Sequence, residues 1–185
     1  MSGDGVPGRR SRARGAHAPG GASAQPVPMR RRHMTGVLIV GYGNALRGDD
    51  GVGWHAAARL AGDPRLAGAE VLALHQLTPE LAEDVARASL VVLVDARADG
   101  GVPGSVSVRR LQPRREAVPG WTHHLDPAAL AGLAGVLYGA VPPVVLVSVG
   151  VASFADGDRL SPALQRALPG VVEAVARVVE EQGRA

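Results

Sequence analysis

Cysteine and lysine are both absent from the 185 residues. Without cysteine there is no disulfide, no thiolate metal site and no cysteine nucleophile, so any metal must be held by His, Asp or Glu. Without lysine every basic side chain is an arginine, and the phosphate-binding loop ending in Gly-Lys-Ser/Thr is excluded. Aromatic residues make up only 3% of the chain, so valine, leucine and alanine must fill the core that a 46% hydrophobic content allows. No apolar run approaches the ~18 residues of a membrane helix. Three arginines at 30–32 precede the apolar stretch 37–40 in the order of a secretory signal. That stretch is too short for a signal core and passes straight into glycines and paired acids. The expectation is a cytoplasmic protein with no membrane partner.

The isoelectric point near 10.4 misleads about the domain. Residues 1–34 hold seven arginines and one aspartate, whereas the rest of the chain holds thirteen arginines against sixteen acids. Rich in Gly, Pro, Ala, Ser and Arg and without apolar periodicity, 1–34 is expected to be a disordered basic tail, with Met29 and Met34 as candidate starts. Residues 35–185 then form one slightly acidic domain. The basic character belongs to the tail, so no nucleic-acid partner is expected.

The domain alternates strand and helix signals. Residues 37–40 and 90–94 are continuous apolar runs and 144–149 is a further, largely apolar one, as in strands buried on both faces. Residues 69–74 read as a further strand, and 105–108 alternate polar and apolar as an edge strand does. Helical patterns follow at 54–60, from Thr78 (cap) and Pro79 to about 88, from Asp126 (cap) to 138, and from Ser161 and Pro162 to about 181. Pro169 and Gly170 predict a kink or restart in the last of these. The order implies α/β architecture: three layers, with a mostly parallel twisted sheet of about five strands and helices on both faces.

The stretch 36–54 is the most informative. A buried strand runs into Gly41, Gly43 and Gly48, then the adjacent Asp49 and Asp50, then Gly51, Gly53 and a helix. Ligands of open α/β sheets bind at such carboxyl ends, although either aspartate is equally suited to cap the helix. Asp95 closes the third strand, and His123 and His124 precede the helix capped by Asp126. Two carboxylates and an imidazole suit a divalent first-row ion with open coordination positions. Ordinary helix-capping and turn roles account for the same residues as well. A dinucleotide site is disfavoured, because the third glycine of its fingerprint falls on Leu46. No serine lies in a Gly-x-Ser-x-Gly elbow, and there is no His-Glu-x-x-His helix.

The run GNALRGDDGVG at 43–53, the strand ending in Asp95 and Ala96, the THHL at 122–125 and the LSP at 160–162 together resemble the hydrogenase maturation endopeptidases over about residues 36–182. That resemblance implies an endopeptidase, aspartic in type, that removes the C-terminal extension of a nickel–iron hydrogenase large-subunit precursor after nickel insertion. It implies nickel supplied by the substrate, contacted by Asp50, Asp95 and His123, with Asp50 or Asp95 also available as general base. His124 is the neighbouring candidate for the histidine. The segment HQLTPEL at 75–81 resembles only part of the family, the branch serving cytoplasmic bidirectional hydrogenases. The expected partner is the precursor, and the expected state a monomer. Three further readings stay open: a non-catalytic nickel- or cofactor-binding chaperone using the same ligands, a nucleotide-binding α/β module, and a peptidase of similar fold with a non-hydrogenase substrate.

Overall fold

The computed structural model describes residues 36–99, 101–114, 125–152, 154 and 157–184. The amino-terminal tail and both candidate histidines, His123 and His124, lie outside the described residues.

Five strands form one sheet: β1 (Val37–Tyr42), β2 (Glu70–Leu74), β3 (Leu90–Arg97), β4 (Val106–Leu111) and β5 (Val144–Gly150), in the order β2-β1-β3-β5-β4. All neighbours are parallel except β4, which runs antiparallel to β5. The three valine- and leucine-rich runs are the central strands, where apolar side chains meet cover on both faces. The half-exposed β2 and β4 form the edges, and Arg109 and Arg110 give the β4 edge the charge that discourages further pairing.

The helices α1 (Val52–Leu60), α2 (Ala82–Arg87), α3 (Pro127–Tyr138) and α4 (Pro162–Gly183) divide between the two faces. Ile39, Val92, Val94, Val147 and Val149 pack with α1 and α4, through residues such as Leu60, Leu164 and Val175. The alternate residues Leu38, Val40, Val91, Leu93 and Leu146 pack with α2 and α3, through Val85, Leu130 and Ala134. Strand parity therefore sorts one sheet into two cores, the three-layer arrangement expected from the sequence.

Several local expectations change. Neither Asp49 nor Asp50 caps α1: both lie in a 3-10 turn, Gly48–Gly51, that feeds directly into the helix, and Gly51 holds the cap position without a side-chain bond. Thr78 occupies its cap position, again without a side-chain bond, and only a 3-10 turn, Pro79–Leu81, precedes α2. Asp126 and Ser161 do cap as expected; Asp126 accepts from the amides of Ala128 and Ala129, and Ser161 from that of Leu164. Pro169 interrupts nothing. α4 continues through it because Pro169 and Gly170 sit on the exposed side, so no buried carbonyl is orphaned.

The strand-to-helix junction is built on contact too close for any Cβ. A methyl group on Gly53 would lie 2.3 Å from the carbonyl oxygens of both Tyr42 and Val94, and one on Gly41 would lie 1.9 Å from the Gly53 oxygen. The first turn of α1 thus rests directly on the ends of β1 and β3. Gly53→Ala is expected to destabilise the fold by about 3 kcal/mol, since backbone on both sides must move. Urea unfolding checks this, and an unchanged midpoint would contradict the packing described.

Candidate active site

The carboxyl ends of β1 and β3 bring the two aspartates together. The loop after β1 folds back on itself. Gly43, at φ +133°, passes so close to the Asp50 backbone that its Cβ would lie 1.9 Å from the Asp50 oxygen. The Asn44 side chain accepts from the Leu46 amide (2.9 Å), and the Asn44 amide donates to Oδ2 of Asp50 (3.0 Å). Asp50 is thereby fixed, half-buried, by the loop that precedes it.

Its neighbour Asp49 points elsewhere. Asp49 is 8% exposed and accepts a hydrogen bond from the Ser161 amide at 2.7 Å, at the amino end of α4. Backbone bonds from Gly48 to the Gly157 oxygen and from Gly157 to the Leu46 oxygen join the same two loops. Of two adjacent identical residues, one locks the scaffold and the other faces the site.

Asp95 lies inside β3, which runs on to Arg97, rather than closing the strand as the apolar pattern suggests. The pairing of β3 with β5 continues through Asp95 with Ser148 to Arg97 with Gly150. The pleat therefore sets the direction of Asp95: it shares the α2–α3 face with Leu93. Tyr42, one position past the pairing of Gly41 with Val94, is on the same face. Its hydroxyl donates to Oδ2 of Asp95 (2.8 Å), while the Ala96 amide donates to Oδ1 (2.8 Å). Burial pushes the Asp95 carboxyl up from 3.8 to about 6. Its two hydrogen bonds oppose the shift, and the negative charge of Asp50 adds to it. Burial also drives the Tyr42 phenol upward, helped by the charge of Asp95, so that it remains a donor.

Two further charges reach this spot. Asp126, where the chain is again described just ahead of α3, raises the Tyr42 phenol further, and Arg109 of β4 opposes it. Sequence reading missed Tyr42 and Ser148. Tyr42 was detectable as the polar-tipped residue in step with Leu38 and Val40. Ser148, 5% exposed, is the one polar residue of an otherwise apolar strand. Among the described residues no group of three His, Asp or Glu side chains is placed to hold a metal. The pair Asp50 and Asp95 offers hard oxygen donors, and Asp95 alone offers a carboxylate with a pKa near the range useful for proton transfer.

Several solved structures share this topology. The NiFe hydrogenase maturation protease HycI of Thermococcus kodakarensis matches with a TM-score of 0.60 at 24% identity, over 79% of this chain and 93% of that one. The hydrogenase maturating endopeptidase HybD of E. coli matches at 0.59 and 23% identity, over 80% and 93%. The hydrogenase 2 maturation peptidase of a Thaumarchaeota archaeon matches at 0.61 and 24% identity, over 78% and 97%. This is the fold of the hydrogenase maturation proteases. No protein-family model matches the chain, and no curated protein does. Nearly the whole of each maturation-protease fold is covered, while about a fifth of this chain lies outside the match. Among the described residues no helix is long and apolar enough to cross a membrane.

Proposed function

We propose that the chain is a cytoplasmic endopeptidase that cleaves the C-terminal extension from a nickel–iron hydrogenase large-subunit precursor once nickel is in place. The observation that carries this reading is the juxtaposition of Asp50 and Asp95 at the carboxyl ends of two adjoining central strands. It stands in a fold shared with solved maturation proteases. In this reading Asp50, Asp95 and His123 meet the nickel that the precursor brings, and the protease by itself holds the ion only weakly. Nickel held by these residues would supply a Lewis acid able to polarise the scissile carbonyl. Asp95 carries two duties in turn. It meets the metal as the precursor docks and, in the same site, takes a proton from the attacking water. The water oxygen bonds to the carbonyl carbon, the carbon–nitrogen bond breaks, and the proton passes to the leaving amine.

The test is an incubation of purified protein with nickel-loaded and nickel-free precursor, read by intact mass. Loss of a C-terminal fragment is expected from the loaded precursor only. Equal cutting of the nickel-free form would end the claim that nickel is recognised, and cutting of neither would favour a binding role without catalysis.

A further inference from the structure

The carboxylate of Asp95 is held at both oxygens by donors from the sheet itself. The donor to Oδ1 is the amide of the next residue, Ala96, and needs no particular side chain. The donor to Oδ2 is the hydroxyl of Tyr42, from the neighbouring strand. A carboxylate bonded at one oxygen only remains free to turn about its Cβ–Cγ bond; bonded at both, its plane is fixed relative to the sheet. Each oxygen keeps a lone pair, so the fixed carboxylate still presents one free direction from each atom. Tyr42 is itself set by β1, whose Gly41 carries the first turn of α1 and pairs with Val94. The phenol therefore transmits the position of β1 to Asp95.

We propose that Tyr42 is the positioning residue of this site, orienting the Asp95 carboxylate through its hydroxyl and acting on the reaction only through Asp95. This rests on the maturation-protease reading above.

The test is Tyr42→Phe, which keeps the ring and its packing and removes one donor. Processing of nickel-loaded precursor is expected to fall roughly 10–100-fold in kcat, with KM within about twofold. Binding of Ni²⁺ to the isolated protein, followed by titration calorimetry, is expected to weaken by a similar factor. A merely structural role would lower the melting temperature and leave kcat and Ni²⁺ affinity alone; that result overturns the inference. Asp95→Ala run in parallel separates the two claims. If Asp95→Ala is inactive while Tyr42→Phe is normal, the positioning role fails and the protease reading stands. If Asp95→Ala processes normally, the reading fails. A wild-type protein that neither processes precursor nor binds Ni²⁺ removes both.

Discussion

Asp95→Asn is expected to give a protein more stable than the wild type above pH 6 and inert toward the precursor. The stability gain follows from burial. A carboxyl whose pKa rises from 3.8 to about 6 on folding is held charged at neutral pH at a cost on the order of 3 kcal/mol. Between about pH 4 and 6 the folded state binds the proton that the unfolded state has released, so wild-type stability falls as pH rises through that window. Below it both states are protonated and the penalty is gone. The amide abolishes this dependence and keeps an acceptor for Tyr42, while losing the charge that strengthens both hydrogen bonds. The net expectation at pH 7.5 is a gain of about 1–2 kcal/mol, a rise of roughly 3–6 °C in melting temperature for a domain of this size. Processing should drop by about 10²–10⁴-fold, the usual loss when a proton-transferring group is removed. Melting curves of both proteins from pH 4 to 8, in chelator, check the first part. A variant melting below the wild type at pH 7.5 would mean that Asp95 is comfortably solvated in its charged form. A carboxylate kept charged at a stability cost is what a group retained for chemistry looks like.

The opposite behaviours of Asp49 and Asp50 show where sequence reading stops. The pair is conspicuous in the chain, and a strand, glycines and a helix start place it at a sheet edge by pattern alone. Which carboxylate turns inward is decided by the Ser161 amide, 112 residues away, and no local signal carries that. The central strands were legible because their runs are apolar on both faces, but the same criterion ended β3 too early. Asp95, Ala96 and Arg97 break the apolar run and yet remain in the ladder, since β5 continues beside them to Gly150. The face of Tyr42 was legible, but its partner was not. Parity along β1 puts it in step with Leu38 and Val40, but only the register of Gly41 with Val94 brings it against Asp95. Pro169 erred the other way, a strong local breaker absorbed by a long helix whose apolar stripe at Leu164, Leu168, Val171 and Val175 is buried on both sides of it.

His123→Ala is expected to lower kcat/KM for nickel-loaded precursor by at least about 100-fold, while His124→Ala stays within about threefold. The resemblance and one charge effect bear on this segment. The resemblance to maturation endopeptidases sets the register on His123, two residues before Leu125. Asp126, three residues on from His123, lies near enough to Tyr42 for its charge to raise the phenol. The adjacent histidine serves as the control, because it differs only in register. Steady-state kinetics of the two variants on one precursor decide the matter. Inactivity of His124→Ala alone would move the register by one residue. Full activity of both would leave the two carboxylates to act without an imidazole, which two hard oxygen donors alone are poorly suited to do for nickel.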